Sequence, residues 1–254
     1  MADPGIAAVI AAALAGCTGI LVWLTARQRA RLGPGWADRV PSIRLDRFSI
    51  GVGLLSFCLI ALVSFGAMIA LGMTAAALLA CRAAGLNPWV ALGLVGPRAR
   101  TTLLLPPLVY LGILMPLYVS AVLSFLICAA LHIPFEPQQL IRLFQRLDSP
   151  SQLAGFAVMA VIVAPVSEEM FFRGLLHGWF KSFMPTRLSV AITSLLFGAV
   201  HWHAPAFLPL TVLGLSLALI YEATRSLWPA IALHAIFNLA TLVTMTLFPQ
   251  LVGK

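Results

Sequence analysis

Residues 153–180 read LAGFAVMAVIVAPVSEEMFFRGLLHGWF, an apolar run long enough to cross a hydrocarbon layer of about 30 Å as a single helix. Two carboxylates, Glu168 and Glu169, stand inside it. A charge at the bilayer centre costs roughly 2.5–3.5 kcal/mol on insertion scales, so intramembrane carboxylates face a protein interior or a wet cavity and are functional by default. Arg173 follows Glu169 by four residues, on the same helical face, and the two are placed to pair. Glu168 is left without a local partner. A structural reading, in which both glutamates and the arginine form one buried ion cluster tying helices together, stays open on these residues alone.

The rest of the chain matches this membrane setting. Of 254 residues, 61% are hydrophobic and 9% charged, against roughly 45–50% and about 25% in soluble domains. The expected fold class is all-α, a polytopic membrane helix bundle of about seven transmembrane helices, with eight as the alternative. The spans fall near Gly5–Leu24, Phe48–Ala80, Thr102–Leu131, Leu153–Phe180, Leu188–Trp202, Phe207–Thr224 and Trp228–Leu247. Phe48–Ala80 is longer than one span requires, either a tilted helix or a span with an extra interfacial turn. Pro106, Pro107 and Pro116 should bend the third span. Residues 133–150 alternate Leu140, Ile141, Leu143, Phe144 and Leu147 with Arg142 and Arg146, a pattern that fits an interfacial helix or a solvated connector. The arginines between Arg27 and Arg47 place the first loop on the cytoplasmic side. Two parts are expected: residues 1–119, N-terminal helices of unassigned role, and a core over 120–254.

The net charge of +8 is spread in short Arg clusters without a nucleic-acid-binding pattern, so it is read as membrane anchoring, with no nucleic acid as partner. Cys17, Cys58, Cys81 and Cys128 lie in or at the ends of apolar runs and form no close pair of metal-ligand type. His177 and His203 are read as lying near the water interface, and Glu222 with Arg225 as a surface pair.

Two further elements join the glutamates. One span carries Phe197-Gly-Ala-Val-His201 and the last carries His234-Ala-Ile-Phe-Asn238, each pair at i, i+4 on one helix face. Together they supply a carboxylate that can act as base, imidazoles that can bind water or give up protons, and an amide that can donate to an oxyanion. The set suits the addition of water to a carbonyl.

In order along successive spans, Glu168-Glu169-Met-Phe-Phe-Arg173, Phe197-Gly-Ala-Val-His201 and His234-Ala-Ile-Phe-Asn238 resemble the EExxxR, FxxxH and HxxxN motifs of the CAAX protease and bacteriocin-processing family, which includes the type II CAAX prenyl endopeptidases. The resemblance covers about residues 120–245. It implies an intramembrane glutamic endopeptidase in which Glu168, with His201, activates a water. It further implies that His234 and Asn238 stabilise the oxyanion while Glu169 pairs with Arg173. No cofactor and no metal are implied. The implied partners are the lipid bilayer and a peptide, a membrane-anchored protein or a lipidated tail, and the expected location is a bacterial inner membrane.

Other readings of the same residues remain. Glu168, His201 and His234 could be three ligands of a catalytic zinc, although the HExxH signature is missing. A non-catalytic scaffold or immunity-type protein would keep the fold without the reaction. A proton-coupled carrier would also use intramembrane Glu and His, but the expected paired, broken helices are not apparent.

Overall fold

The computed structural model describes residues 67–95, 99–248 and 250. The first expected span, the Arg-rich loop, Cys17, Cys58 and most of Phe48–Ala80 lie outside the described residues. Within them the chain is helical, without strands: α1 (Ala67–Ala83), α2 (Pro88–Ala91), α3 (Ala99–Ala130), α4 (Gln139–Gln145), α5 (Pro150–Phe180), α6 (Thr186–Ala199), α7 (Ala204–Thr224) and α8 (Leu227–Leu247). Four of these, α3, α5, α7 and α8, are long and apolar enough to cross a membrane. Helices α1 and α6 are shorter apolar helices. This is an integral membrane protein of helices, and its full span count rests partly on residues outside those described.

The lengths follow from local signals. Helix α3 runs uninterrupted through Pro106, Pro107 and Pro116, which a membrane helix tolerates better than a soluble one because its neighbours re-satisfy the freed backbone groups. Helix α5 opens on a capping box, Ser149 with Gln152, and Pro150 in its first turn. His203 caps the start of α7 by accepting from the Ala206 N–H, and Ser226 caps α8. Between them Arg225 adopts a left-handed conformation (φ 57°), which ends α7 and turns the chain into α8.

The interior is small-residue packing around a few large side chains. Phe172, Phe197, Leu213, Leu217 and Leu233 are essentially inaccessible. Helices α6 and α7 approach closely because Gly198 and Gly214 lack side chains. A Cβ on Gly198 would meet Thr211 Oγ1 at 2.5 Å and the Phe207 carbonyl at 2.7 Å, and one on Gly214 would meet Ser194 Cα at 3.2 Å. The outward faces carry exposed Leu103, Leu111, Leu123, Phe125 and Leu126 on α3, as a lipid-facing helix requires. Cys81 and Cys128 are buried free thiols. A second apolar cluster joins Phe144 of α4 to Phe156 of α5 and to Leu242 and Met245 of α8, with Ile141 and Leu147 packed against it, so the amphipathic segment is docked on the bundle by one face while Leu140 and Leu143 stay exposed.

Candidate active site

Helix α5 is not a regular α-helix. It holds two π-helical stretches, Met159–Val163 and Met170–His177, on either side of the α-helical Ala164–Glu169. Stretches with i→i+5 bonding are rare and concentrate at functional sites. They bracket the residues that carry the two carboxylates.

Glu169 and Arg173 pair as their spacing predicts, with Nη1 donating to Oε1 at 2.8 Å and both side chains fully buried. Arg173 Nη2 donates to the Gly214 carbonyl at 3.0 Å, so the same guanidinium ties α5 to the close α6–α7 crossing. Its flat face lies 4.5 Å from the centroid of Phe197, a cation–π contact. The guanidinium stays charged in any protein setting.

His234 of α8 completes the Glu169 side of the cluster. Its Nδ1 lies 3.0 Å from Glu169 Oε1. Because an ionised carboxylate only accepts, Nδ1 carries the hydrogen and Nε2 is turned to the other carboxylate. There Glu168 Oε2 stands 3.9 Å from Nε2, beyond hydrogen-bond distance. Glu168 Oε2 is itself buried with no partner, although the side chain as a whole is 20% exposed. Glu169 Oε2 is unpartnered as well, so the two neighbouring glutamates differ in access and anchoring. Glu169 is fully buried and locked through Oε1 by an arginine and a histidine, and Glu168 reaches the partly exposed edge of the cluster with no hydrogen bond among the described residues.

His201 ends the α6 side. Its Nδ1 lies 2.7 Å from the Phe197 carbonyl, an acceptor, so Nδ1–H donates and Nε2 keeps its lone pair. Phe197 stands between the imidazoles, with its ring centroid 5.2 Å from His201 and 5.5 Å from His234. No direct contact between His201 and either glutamate occurs among the described residues; the motif phenylalanine is the spacer that sets the two histidines apart. Asn238, one turn beyond His234, donates from Nδ2 to the Ala160 carbonyl at 2.7 Å. The structure therefore brings Glu168, Glu169, Arg173 and His234 into one cluster, holds His201 across Phe197, and attaches Asn238 to the backbone of α5.

No group of three or more His, Cys, Asp or Glu side chains among the described residues is placed to share a metal ion. Glu168, His201 and His234 do not form a ligand set in this arrangement.

Several contacts were not read from the sequence. Thr74 of α1 donates to Ser167 Oγ at 3.1 Å, and Ser167 donates to the Val163 carbonyl, so a helix upstream of all three motifs reaches the residue before Glu168. Two outlying readings need correction. His177 is fully buried, not interfacial, and Glu222 is buried and paired with His177 at 2.6 Å and Lys181 at 2.7 Å rather than with Arg225 at a surface. Ser189 Oγ lies 2.7 Å from His177 Nδ1 and closes this second cluster. The signal was present: Glu169, Arg173, His177 and Lys181 recur every four residues, a continuous polar stripe whose later half needs a buried acid, and Glu222 is the acid inside the following apolar run.

Residues 150–240 match the family model described as Type II CAAX prenyl endopeptidase Rce1-like. Over residues 150–240 the chain is similar to that family. The motif resemblance is supported over this part of the chain. A relative from Bacillus subtilis (strain 168), named "Putative membrane peptidase YdiL", is 30% identical over 92 residues, which is 36% of this chain and 38% of that protein. The chain thus matches about two-fifths of that relative's length. No solved structure matches the chain significantly.

Proposed function

We propose that this protein is an intramembrane endopeptidase that hydrolyses a peptide bond in a peptide, a membrane-anchored protein or a lipidated tail. The family match supports a membrane peptidase and hence a peptide or protein substrate. The single observation that carries the mechanistic reading is the asymmetry of the glutamates. Glu169 is fully buried and held through one oxygen by both Arg173 and His234, whereas Glu168, which has no hydrogen bond among the described residues, stands partly exposed at the edge of the same cluster; each keeps one buried oxygen unpaired.

A water held between Glu168 and His201 Nε2 has an acceptor on each side. Glu168 takes its proton as the water oxygen adds to the scissile carbonyl, and the same carboxyl then delivers that proton to the departing amine. His234 presents Nε2 toward Glu168 because Nδ1–H is engaged by Glu169; in its protonated form that nitrogen donates to the developing oxyanion. Asn238 has a second amide N–H beyond the one bonded to Ala160, and it lies one turn from His234 on the same helix to assist there. Glu169 and Arg173 fix the helix face and hold His234 in its tautomer. No cofactor enters this scheme. A bacterial inner membrane is the proposed location.

The test compares wild type and Glu168→Gln, both purified in detergent, against a library of peptides and lipidated tails with and without a strong chelator. Cleavage by wild type alone, indifferent to chelator, is the expected outcome. Chelator-sensitive cleavage would replace the scheme by a metal-dependent one, and no cleavage by a well-folded wild type would leave a binding or scaffold role.

A further inference from the structure

Pro165 lies three residues before Glu168 and has no N–H to give. In an α-helix the Ala160 carbonyl would accept from residue 164, and in a π-helix from residue 165. Neither donor is available: the Ala164 N–H is bonded to Met159 in an i→i+5 contact, and residue 165 is the proline. The combination of the π-turn and Pro165 therefore leaves the Ala160 carbonyl without a backbone donor within a membrane-spanning helix, where no bulk water can serve it. Asn238 Nδ2 donates to that oxygen at 2.7 Å. Left unmet, a carbonyl at this depth is strongly unfavourable, and without the asparagine it would have to find a donor by unwinding or rotation of the helix. Either would turn the following segment, Ala164–Glu169, about its own axis.

We infer that Asn238 is a positioning residue for Glu168: its amide closes the carbonyl orphaned by Pro165 and so fixes the π-turn that sets the direction of the catalytic carboxylate. This rests on the proposed role of Glu168 and adds to it, since the asparagine acts through the backbone of α5 and not only at the oxyanion. The last motif residue on α8 and the proline on α5 form one device. The carbonyl has an alternative source of a donor if residue 165 has an N–H, so the need for Asn238 is created by Pro165.

The experiment is a double-mutant cycle with Asn238→Ala and Pro165→Ala, read in two ways. In the otherwise wild-type enzyme, Asn238→Ala is expected to lower kcat/KM by about 10²-fold, the size of effect that a misplacement of roughly 1 Å produces. Adding Pro165→Ala, which restores an N–H near Ala160, is expected to recover about 10-fold of that loss. An asparagine that acts only on the oxyanion gives the same fold loss with proline or alanine at 165, and that result would overturn the inference. In the Glu168→Gln background, thermal unfolding reads the same coupling without chemistry: the Tm loss caused by Asn238→Ala should shrink when Pro165 is also replaced. An unchanged loss would overturn the inference there too, and this arm stands whether or not a substrate is found. Should the Pro165→Ala protein fail to accumulate, Asn238→Asp decides. Its carboxylate oxygen would face the Ala160 oxygen, and its Tm should fall below that of Asn238→Ala; a Tm equal or higher would refute the clasp.

Discussion

Helix α5 carries two buried charge clusters, and they differ in access: one is closed on all sides, the other opens at Glu168. Toward its C-terminal end, Glu222 accepts from His177 and Lys181, and Ser189 meets the other ring nitrogen of His177, with Glu222 and His177 closed off from the surface. At its centre, Glu169 is held as tightly by Arg173 and His234, yet Glu168 beside it has a partly exposed side chain and a buried oxygen with no donor. Both clusters place acids, bases and histidines together, so residue type does not separate a reactive site from a structural one. Access does: Glu169 and Glu222 each also leave one buried oxygen unpaired, but each is held through its other oxygen and closed off. Glu168 instead is one-fifth exposed with no hydrogen bond of its own among the described residues, so a water or substrate can reach it and supply the missing donor.

The sharpest way to break this contrast is to neutralise the two acids separately. Glu168→Gln should lower kcat by about 10²–10⁴-fold, the range of a general base, with thermal stability unchanged or raised, because an unpaired buried charge is removed. Retention of activity in a purified cleavage assay would make the open cluster structural after all. Next in size is Arg173→Met, which strands Glu169 in the interior. Breaking a buried pair from one side costs about 3–5 kcal/mol, so the variant should unfold far below wild type or fail to accumulate in the membrane, as measured by thermal unfolding in detergent. A stable, inactive Arg173→Met would give the arginine a direct chemical role instead.

Glu222→Ala turns the comparison around. It leaves Lys181 and His177 without their shared acceptor, at an expected cost of about 1–3 kcal/mol, while kcat per folded molecule should stay within about two-fold of wild type. A loss of turnover at normal stability would mean that the closed cluster also takes part in the reaction.

Much of the open cluster was legible before any coordinates, and the reason is the solvent. In lipid a charged residue inside an apolar run is an anomaly that demands a partner, so Glu168, Glu169, Arg173, His201 and His234 stand out, and the four-residue spacing of Glu169 and Arg173 gives their bond directly. The same logic applied to Glu222 would have found the second cluster; reading it by its distance from Arg225 placed it at a surface where it does not lie. Two features had no local signal. The π-turns of α5 are one, because a hydropathy pattern does not record which carbonyl goes unmet. The contact of Thr74 with Ser167 joins residues 93 positions apart, and threonine in an apolar helix is too common to announce a partner.

That last contact sets the smallest and most selective prediction. Thr74 lies in α1, outside the segment 150–240 that matches the family model, yet it donates toward both the Ala70 carbonyl and Ser167 Oγ at 3.1 Å. One hydroxyl hydrogen serves two acceptors, so the share that reaches Ser167 is less than a full bond. Ser167 keeps its own bond to the Val163 carbonyl, and through it the end of the first π-turn, whatever happens at position 74. Thr74→Val preserves shape and branching and removes only the donor, so the expected loss is about 0.5–1.5 kcal/mol, with a fall in kcat/KM of a few-fold. Ser167→Ala, which removes the bond to Val163 as well, should lose more in both. If Thr74→Val matches Ser167→Ala, α1 helps to hold the reactive helix; if Thr74→Val changes neither stability nor turnover, the segment 150–240 positions Glu168 without it.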